Sequence, residues 1–110
     1  MTLKDIIDAC KHLRIVEQRC STQEFVDLVF ENKDIEEWQR ILTNFLGTPR
    51  KPKGQEPTNG DLKLTARTGG IRIEQTLFER DFPENTIIAK FWPWKDDRHT
   101  TLRMATLFKG

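Results

Sequence analysis

The spacing of apolar residues changes once along this chain, between Gly47 and Gly60. Before this stretch they recur every three or four positions, as in amphipathic helices, and after it every second position, as in half-buried strands. The stretch itself is rich in Pro and Gly and mostly basic. The sequence therefore predicts a helical half (2–47), an exposed basic crossover (48–60) and a β half (61–109).

The length of 110 residues is near the usual size of one domain. Neither half can bury its own apolar residues, because the helices need a sheet face to cover their stripes. We therefore expect a single domain over 1–110. No apolar run approaches the roughly 20 residues of a membrane span, and the N-terminus carries acids. These features predict a cytoplasmic protein without membrane contact.

Three helices are predicted in the first half. Thr2 is placed to cap the first, with Asp5 in its first turn. Ser21–Glu24 and Asp34–Glu37 have the spacing of capping boxes and predict helices over 21–32 and 34–46. Gly47 occupies the position where a glycine commonly ends a helix.

The second half predicts a four-stranded antiparallel meander. Residues 62–67 alternate, Gly69-Gly70 suits a two-residue hairpin turn, and further turns fall at 82–85 and 96–99. The predicted fold class is α+β, with three N-terminal helices packed on one face of this meander.

These turns also predict which residues face each other. A two-residue turn at Gly69-Gly70 pairs Arg67 with Arg72, and a four-residue loop over 96–99 pairs Phe91 with Met104. One sheet face is then apolar, and the other mixes cations with aromatic rings.

The predicted third strand, 86–94, is apolar on both faces, which is typical of a strand covered on both sides. The helices cover one face. The second face is left for a protein partner, a homodimer mate or the folded-back crossover. The residues predicted to bind a partner there are Trp92, Trp94, Arg103, Ile88 and Lys90.

The net charge of +1 is unevenly distributed. Residues 1–47 carry six basic and nine acidic side chains, whereas the crossover and the β half each have two more basic than acidic ones. An anionic partner should therefore meet the second half. The residues predicted to contact an anion or nucleic acid are Arg67, Arg72, Lys63, Arg50, Lys51 and Lys53.

No catalytic constellation is visible in the sequence. Ser21, the only serine, suits a helix cap, and neither His12 nor His99 has a neighbouring nucleophile. Cys10 and Cys20 match no metal-ligand spacing. We therefore expect no cofactor, metal or small-molecule substrate. The predicted function is a non-catalytic interaction module, joining a protein partner or a second copy, with nucleic-acid binding as the alternative.

Overall fold

The computed structural model describes residues 1–108, which form three α-helices and a five-stranded sheet. The helices are α1 (Leu3–Ala9), α2 (Ile35–Leu46) and α3 (Asn59–Thr65), and the strands are β1 (Glu17–Ser21), β2 (Phe25–Glu31), β3 (Thr76–Asp81), β4 (Asn85–Pro93) and β5 (His99–Phe108). Short 3₁₀ helices cover Asn32–Asp34 and Ala66–Thr68.

The strands are ordered β1-β2-β5-β4-β3, and all neighbours are antiparallel. The predicted α+β class with an antiparallel sheet is confirmed. The predicted four-stranded meander is wrong, because a hairpin from the first half of the chain supplies two strands and the predicted first strand of the meander is helical. The predicted end of the last strand at Lys109 lies outside the described residues.

The main core lies between the sheet and helices α1 and α2, and we call this sheet face the inner face. Trp38 of α2 stacks on Phe30 of β2 with ring centroids 4.9 Å apart, and Phe91 meets Phe30 edge-on at 5.6 Å. Each fully buried side chain of this kind contributes roughly 1.5–3 kcal/mol. The other buried members include Leu3, Ile6, Val26, Leu28, Ile41, Leu42, Phe78, Ile87, Leu102 and Met104.

The predicted start of the first helix and the predicted end of the helix before the crossover are confirmed. Thr2 Oγ1 accepts from the Asp5 backbone N–H, and the Asp5 carboxylate accepts from Thr2 N–H, which closes a capping box. Gly47 follows α2 with φ +85° and donates its N–H to Thr43 O at 2.8 Å. Asp34, however, makes no side-chain capping bond.

The predicted helix over 21–32 is wrong, because this segment belongs to the β1–β2 hairpin. Five consecutive residues of β2, 26–30, are buried, since β2 lies between β1 and β5 and is covered on both faces. A strand buried on both faces has a continuous apolar run, which periodicity alone cannot distinguish from a helix.

The predicted hairpin at Gly69-Gly70 is also wrong. Thr58 and Asp61 form a capping box that starts α3, and Gly69 adopts a left-handed conformation, φ +96°, after the 3₁₀ turn. The predicted pair Arg67–Arg72 therefore does not form. The helix is only seven residues long, so an apolar alternation over its few positions imitates a strand.

Most residues of the crossover are exposed, as its composition predicts, but one of them anchors it to the sheet. Lys51 forms an isolated antiparallel bridge with Leu77 of β3, with N···O distances of 3.2 and 2.9 Å. The Lys51 side chain is also buried. The crossover is therefore held against the edge of the sheet.

The predicted faces of the β4–β5 hairpin are correct, but its pairs are shifted. Phe91 lies opposite Leu102, not Met104, and Trp92 lies opposite Thr101. Trp94 N–H donates to His99 O at 2.9 Å, so the loop spans 95–98 and begins one residue earlier than predicted. Moving the loop by one residue shifts each cross-strand partner by two positions, so every residue stays on its predicted sheet face.

Candidate binding cleft on the outer sheet face

The sheet face opposite α1 and α2, which we call the outer face, is covered over one part only. There Leu64 of α3 and Ile71 pack on Leu77, Ile88 and Ala105. Residues 61–71 thus fold back over the sheet. Ile88, predicted to contact a partner, is 1% exposed beneath them and does not reach the surface.

Lys90 of β4 holds this covering segment in place. Its Nζ donates to Thr68 O at 2.5 Å and to Gly70 O at 2.7 Å, and the residue is 2% exposed. Burial, with a smaller effect from the Arg103 cation, lowers the pKa of Lys90 to about 8. The structure therefore places this predicted partner contact inside the molecule, as a donor to backbone carbonyls.

Arg103 of β5 stands where the covered part of the outer face ends. Its Nε and Nη2 donate to Asp27 Oδ2 at 3.3 and 3.1 Å, and its Nη1 donates to Thr68 O at 3.2 Å. The guanidinium carbon also lies 5.7 Å from the Trp92 ring centroid. These contacts fix the Arg103 side chain between the covered part and the open part.

The open part contains a cleft of about 330 Å³. We call it the aromatic–arginine cleft. It is lined by Arg19, Trp92, Trp94, Thr101 and Arg103. Three of the five side chains predicted to contact a partner, Trp92, Trp94 and Arg103, are therefore brought together here.

Trp94 forms one wall of the cleft. A hydrogen bond from its indole N–H and contacts with two neighbouring side chains hold its ring in place. Its indole Nε1–H donates to Thr101 Oγ1 at 2.9 Å. The Arg19 guanidinium lies 5.6 Å from the ring centroid, and the His99 ring lies 5.0 Å away. A cation over an indole face is attracted by the ring quadrupole, so this arrangement holds Arg19 as well as Trp94.

Trp92 is also half-buried, and two arginine side chains lie over its ring. Arg72 and Arg103 lie 5.9 and 5.7 Å from its ring centroid. Its indole N–H has no hydrogen-bond partner among residues 1–108. Trp92 therefore offers an unused donor beside two arginines.

Two of the predicted anion contacts are used inside the molecule. Arg50 pairs with Asp61 at 2.6 Å and with Glu79 at 2.8 Å. Lys51, 1% exposed, donates from Nζ to the carbonyls of Pro52, Ile73 and Gln75, and burial lowers its pKa.

The other predicted anion contacts remain at the surface. Lys53, Lys63, Arg67 and Arg72 are exposed. Within residues 1–108 none of them forms an ion pair. Of these four, Arg72 alone has a cation–π contact with a cleft residue.

Sequence reasoning missed Arg19 and Asp27. Arg19 is the extra residue of a bulge between Gln18 and Cys20 in β1, and Asp27 lies on β2 opposite Arg103. Asp27 was hidden by the assignment of 21–32 to a helix, and Arg19 lies in β1, where no strand was predicted. The available signal was an aspartate inside the apolar run Val-Asp-Leu-Val-Phe, since a buried carboxylate requires a cationic partner.

Within residues 1–108, no group of three or more His, Cys, Asp or Glu side chains is placed to hold a metal ion. None of the helices in this part of the chain has the length and apolarity to cross a membrane. Comparison with protein-family models, curated proteins and solved structures gives no match.

Proposed function

We propose that this chain is a non-catalytic interaction module that binds a protein partner through the aromatic–arginine cleft. The observation that carries the proposal is the pair of half-buried tryptophans, Trp92 and Trp94, flanked by arginines in an open cleft on a rigid sheet. Trp and Arg dominate the binding energy of protein interfaces, because both bury a large area at fixed geometry.

Cys10, the buried thiol, is not suited to act as a nucleophile. Cys10 is 2% exposed, and burial raises its pKa to about 11, so it remains a protonated thiol at neutral pH. A nucleophilic cysteine needs a lowered pKa and access to solvent.

Oxidative footprinting of tryptophan tests the proposal. The complex is isolated from the cells that naturally produce the chain, and hydroxyl-radical oxidation is compared with that of the isolated chain. Oxidation of Trp92 and Trp94 should fall in the complex. Trp38, fully buried in the core, should be protected in both samples and serves as an internal reference.

Matched variants complete this test. Trp92→Ala should weaken partner binding by about 2 kcal/mol or more, as truncation of a central interface tryptophan does. Because the Trp92 indole N–H has no internal partner among residues 1–108, this change leaves no buried acceptor unpaired. Gln39→Ala, on the exposed side of α2, should leave binding unchanged. Equal oxidation of Trp92 and Trp94 in both samples would contradict the proposal.

Nucleic-acid binding is the second candidate, favoured by the exposed cations Arg67 and Arg72, of which Arg72 lies over the Trp92 ring. Phosphate contacts by such side chains make affinity fall steeply with salt. In the same footprinting experiment, protection that nuclease treatment removes would support this candidate over a protein partner.

A further inference from the structure

The aromatic–arginine cleft presents mainly hydrogen-bond donors. The Arg19 guanidinium has no hydrogen-bond partner among residues 1–108, and its nearest carboxylate oxygens, on Glu17 and Asp27, are 3.5 and 4.0 Å away. Arg103 commits three of its five N–H groups to Asp27 and Thr68 and has two left. A group that accepts several hydrogen bonds would satisfy this surplus.

Asp27 lies close to both arginines of the cleft. It is 7% exposed, and its Oδ2 accepts both bonds from Arg103. Its Oδ1 is buried without a hydrogen-bond partner among residues 1–108 and lies 4.0 Å from Arg19 Nη1. One carboxylate thus lies close to two guanidinium groups. With Glu17 beside Arg19 and Arg72 over the Trp92 ring, three arginines stand against two carboxylates, which leaves one positive charge for a ligand.

The ring faces of the cleft tryptophans already carry side chains. Arg19 and His99 lie against Trp94, and Arg72 and Arg103 lie against Trp92. A nucleobase that stacked on either ring would compete with these side chains. A guanidinium over an aromatic ring keeps its edge N–H groups available for a planar oxyanion. The arrangement therefore favours an oxyanion over a stacked base.

The charge around the cleft favours a single anionic group over a polyanion. Glu17 pairs with Arg19 at 3.5 Å, and Asp96 and Asp97 lie in the loop between Trp94 and His99. The whole chain has a net charge of only +1. A nucleic-acid backbone would meet these carboxylates, whereas nucleic-acid-binding domains usually present an uninterrupted basic surface.

We propose that Arg19, Arg103 and the Trp92 indole N–H bind an aspartate or glutamate carboxylate of an acidic segment in the protein partner. This inference rests on the proposed function and specifies its chemistry. Asp27 acts as a positioning residue, because it acts on the ligand only through the two arginines.

The test uses a hexapeptide that contains glutamate and its glutamine counterpart, both blocked at their termini. The readout is the ¹⁵N–¹H NMR signals of the three indole N–H groups in the full chain. The glutamate peptide should shift the Trp92 indole signal in a saturable way and leave the Trp38 signal unchanged. The glutamine peptide should bind at least about tenfold more weakly, because it lacks the charge-assisted bonds.

Arg19→Gln should weaken binding of the glutamate peptide about tenfold. Arg19 lies at a bulge on an exposed edge strand, so this variant should fold, as an unchanged Trp38 signal would show. Arg40→Gln on α2 removes the same charge away from the cleft and is the matched control, with no expected loss.

Four results would overturn this inference. The first is equal binding of the two peptides, and the second is the absence of a saturable shift at millimolar glutamate peptide. The third is tighter binding of a single-stranded oligothymidine, detected at the same indole signals. The fourth is a shift that depends on protein concentration without peptide, which would identify a second copy as the occupant. If the footprint protects Trp92 and Trp94 while the glutamate peptide fails to bind, only the carboxylate assignment falls. If the footprint shows no protection, the proposed function fails.

Discussion

Individual cations in this protein stabilise the backbone, although their sequence positions suggest surface contacts. Lys51 and Lys90 direct their ammonium groups to carbonyl oxygens of residues 52–75, and Arg103 donates to one of the same carbonyls. Thr68 O and Gly70 O follow a short helix, where carbonyl groups lack helical partners and favour a cation. These bonds offset the cost of burying the charge.

Lys90→Met tests this role through the pH dependence of stability. Between about pH 8 and 10.5 the folded amine is neutral while the unfolded one stays protonated. The unfolded state then binds more protons, so the free energy of unfolding of the natural chain rises with pH, by at most about 1.4 kcal/mol per unit. Urea titrations should show this rise in the natural chain and a smaller rise in Lys90→Met, which retains Lys51 with its pKa also lowered by burial.

The Lys90→Met comparison needs a control for other groups that titrate above pH 8. Cys10 acts in the opposite direction, since its pKa is raised to about 11, but it is present in both proteins and cancels. Lys63→Met removes an exposed lysine and should keep the rise. If the free energy of unfolding rose equally steeply with pH in Lys90→Met and in the natural chain, a lowered pKa at Lys90 would be contradicted.

At the scale of elements, one segment that was predicted as a helix forms a strand, and one that was predicted as a strand forms a helix. Residues 21–31 resemble a helix in spacing but form a turn and strand residues, whereas 62–67 alternate like a strand but lie in α3 and the 3₁₀ helix after it. The first contains β-branched and aromatic residues, which suit a strand. The second follows Thr58 and Asp61, whose spacing as a capping box is a helix signal that alternation concealed.

The hydrogen bonds of the turn between β1 and β2 differ from those expected if residues 21–31 formed the predicted helix. Thr22 Oγ1 accepts from the N–H groups of Glu24 and Phe25 at 3.3 and 3.0 Å, while the Ser21 side chain makes no hydrogen bond within residues 1–108. Thr22→Ala should therefore lower the free energy of unfolding by about 1 kcal/mol, and Ser21→Ala should change it by less than about 0.5 kcal/mol. Denaturant titration measures both; a larger loss in Ser21→Ala would indicate the capping box of a helix.

At the scale of the whole molecule, the two halves of the chain interlock. Strand β2 pairs with β5 along seven residue pairs, so a hairpin from the first half completes a sheet whose other strands come from the second. Helix α2 then packs on that composite sheet through Trp38. Neither half contains a complete sheet face, and we predict that the chain unfolds as one cooperative unit.

Ile88→Ala tests this cooperativity, because Ile88 lies on the outer face, away from Trp38 on the inner face. Its truncation should lower the free energy of unfolding by about 2–5 kcal/mol, and Ile88→Val by about 0.5–1.5 kcal/mol. In a background with Trp92→Phe and Trp94→Phe, Trp38 fluorescence and far-UV circular dichroism should report the same loss. An unchanged Trp38 transition would indicate that the halves unfold independently.

The sequence by itself determined the α+β class, the capped start of α1, the end of α2 at Gly47, the turn at 82–85 and the faces of the β4–β5 hairpin. These features depend on neighbours within a few residues, through capping bonds, glycine conformation and alternation. Only the tertiary structure decided that β2 is buried on both faces and that Lys90 is internal. It alone decided that Arg19 and Asp27 meet Trp94 and Arg103, because burial and charge pairing come from strands more than 70 residues apart.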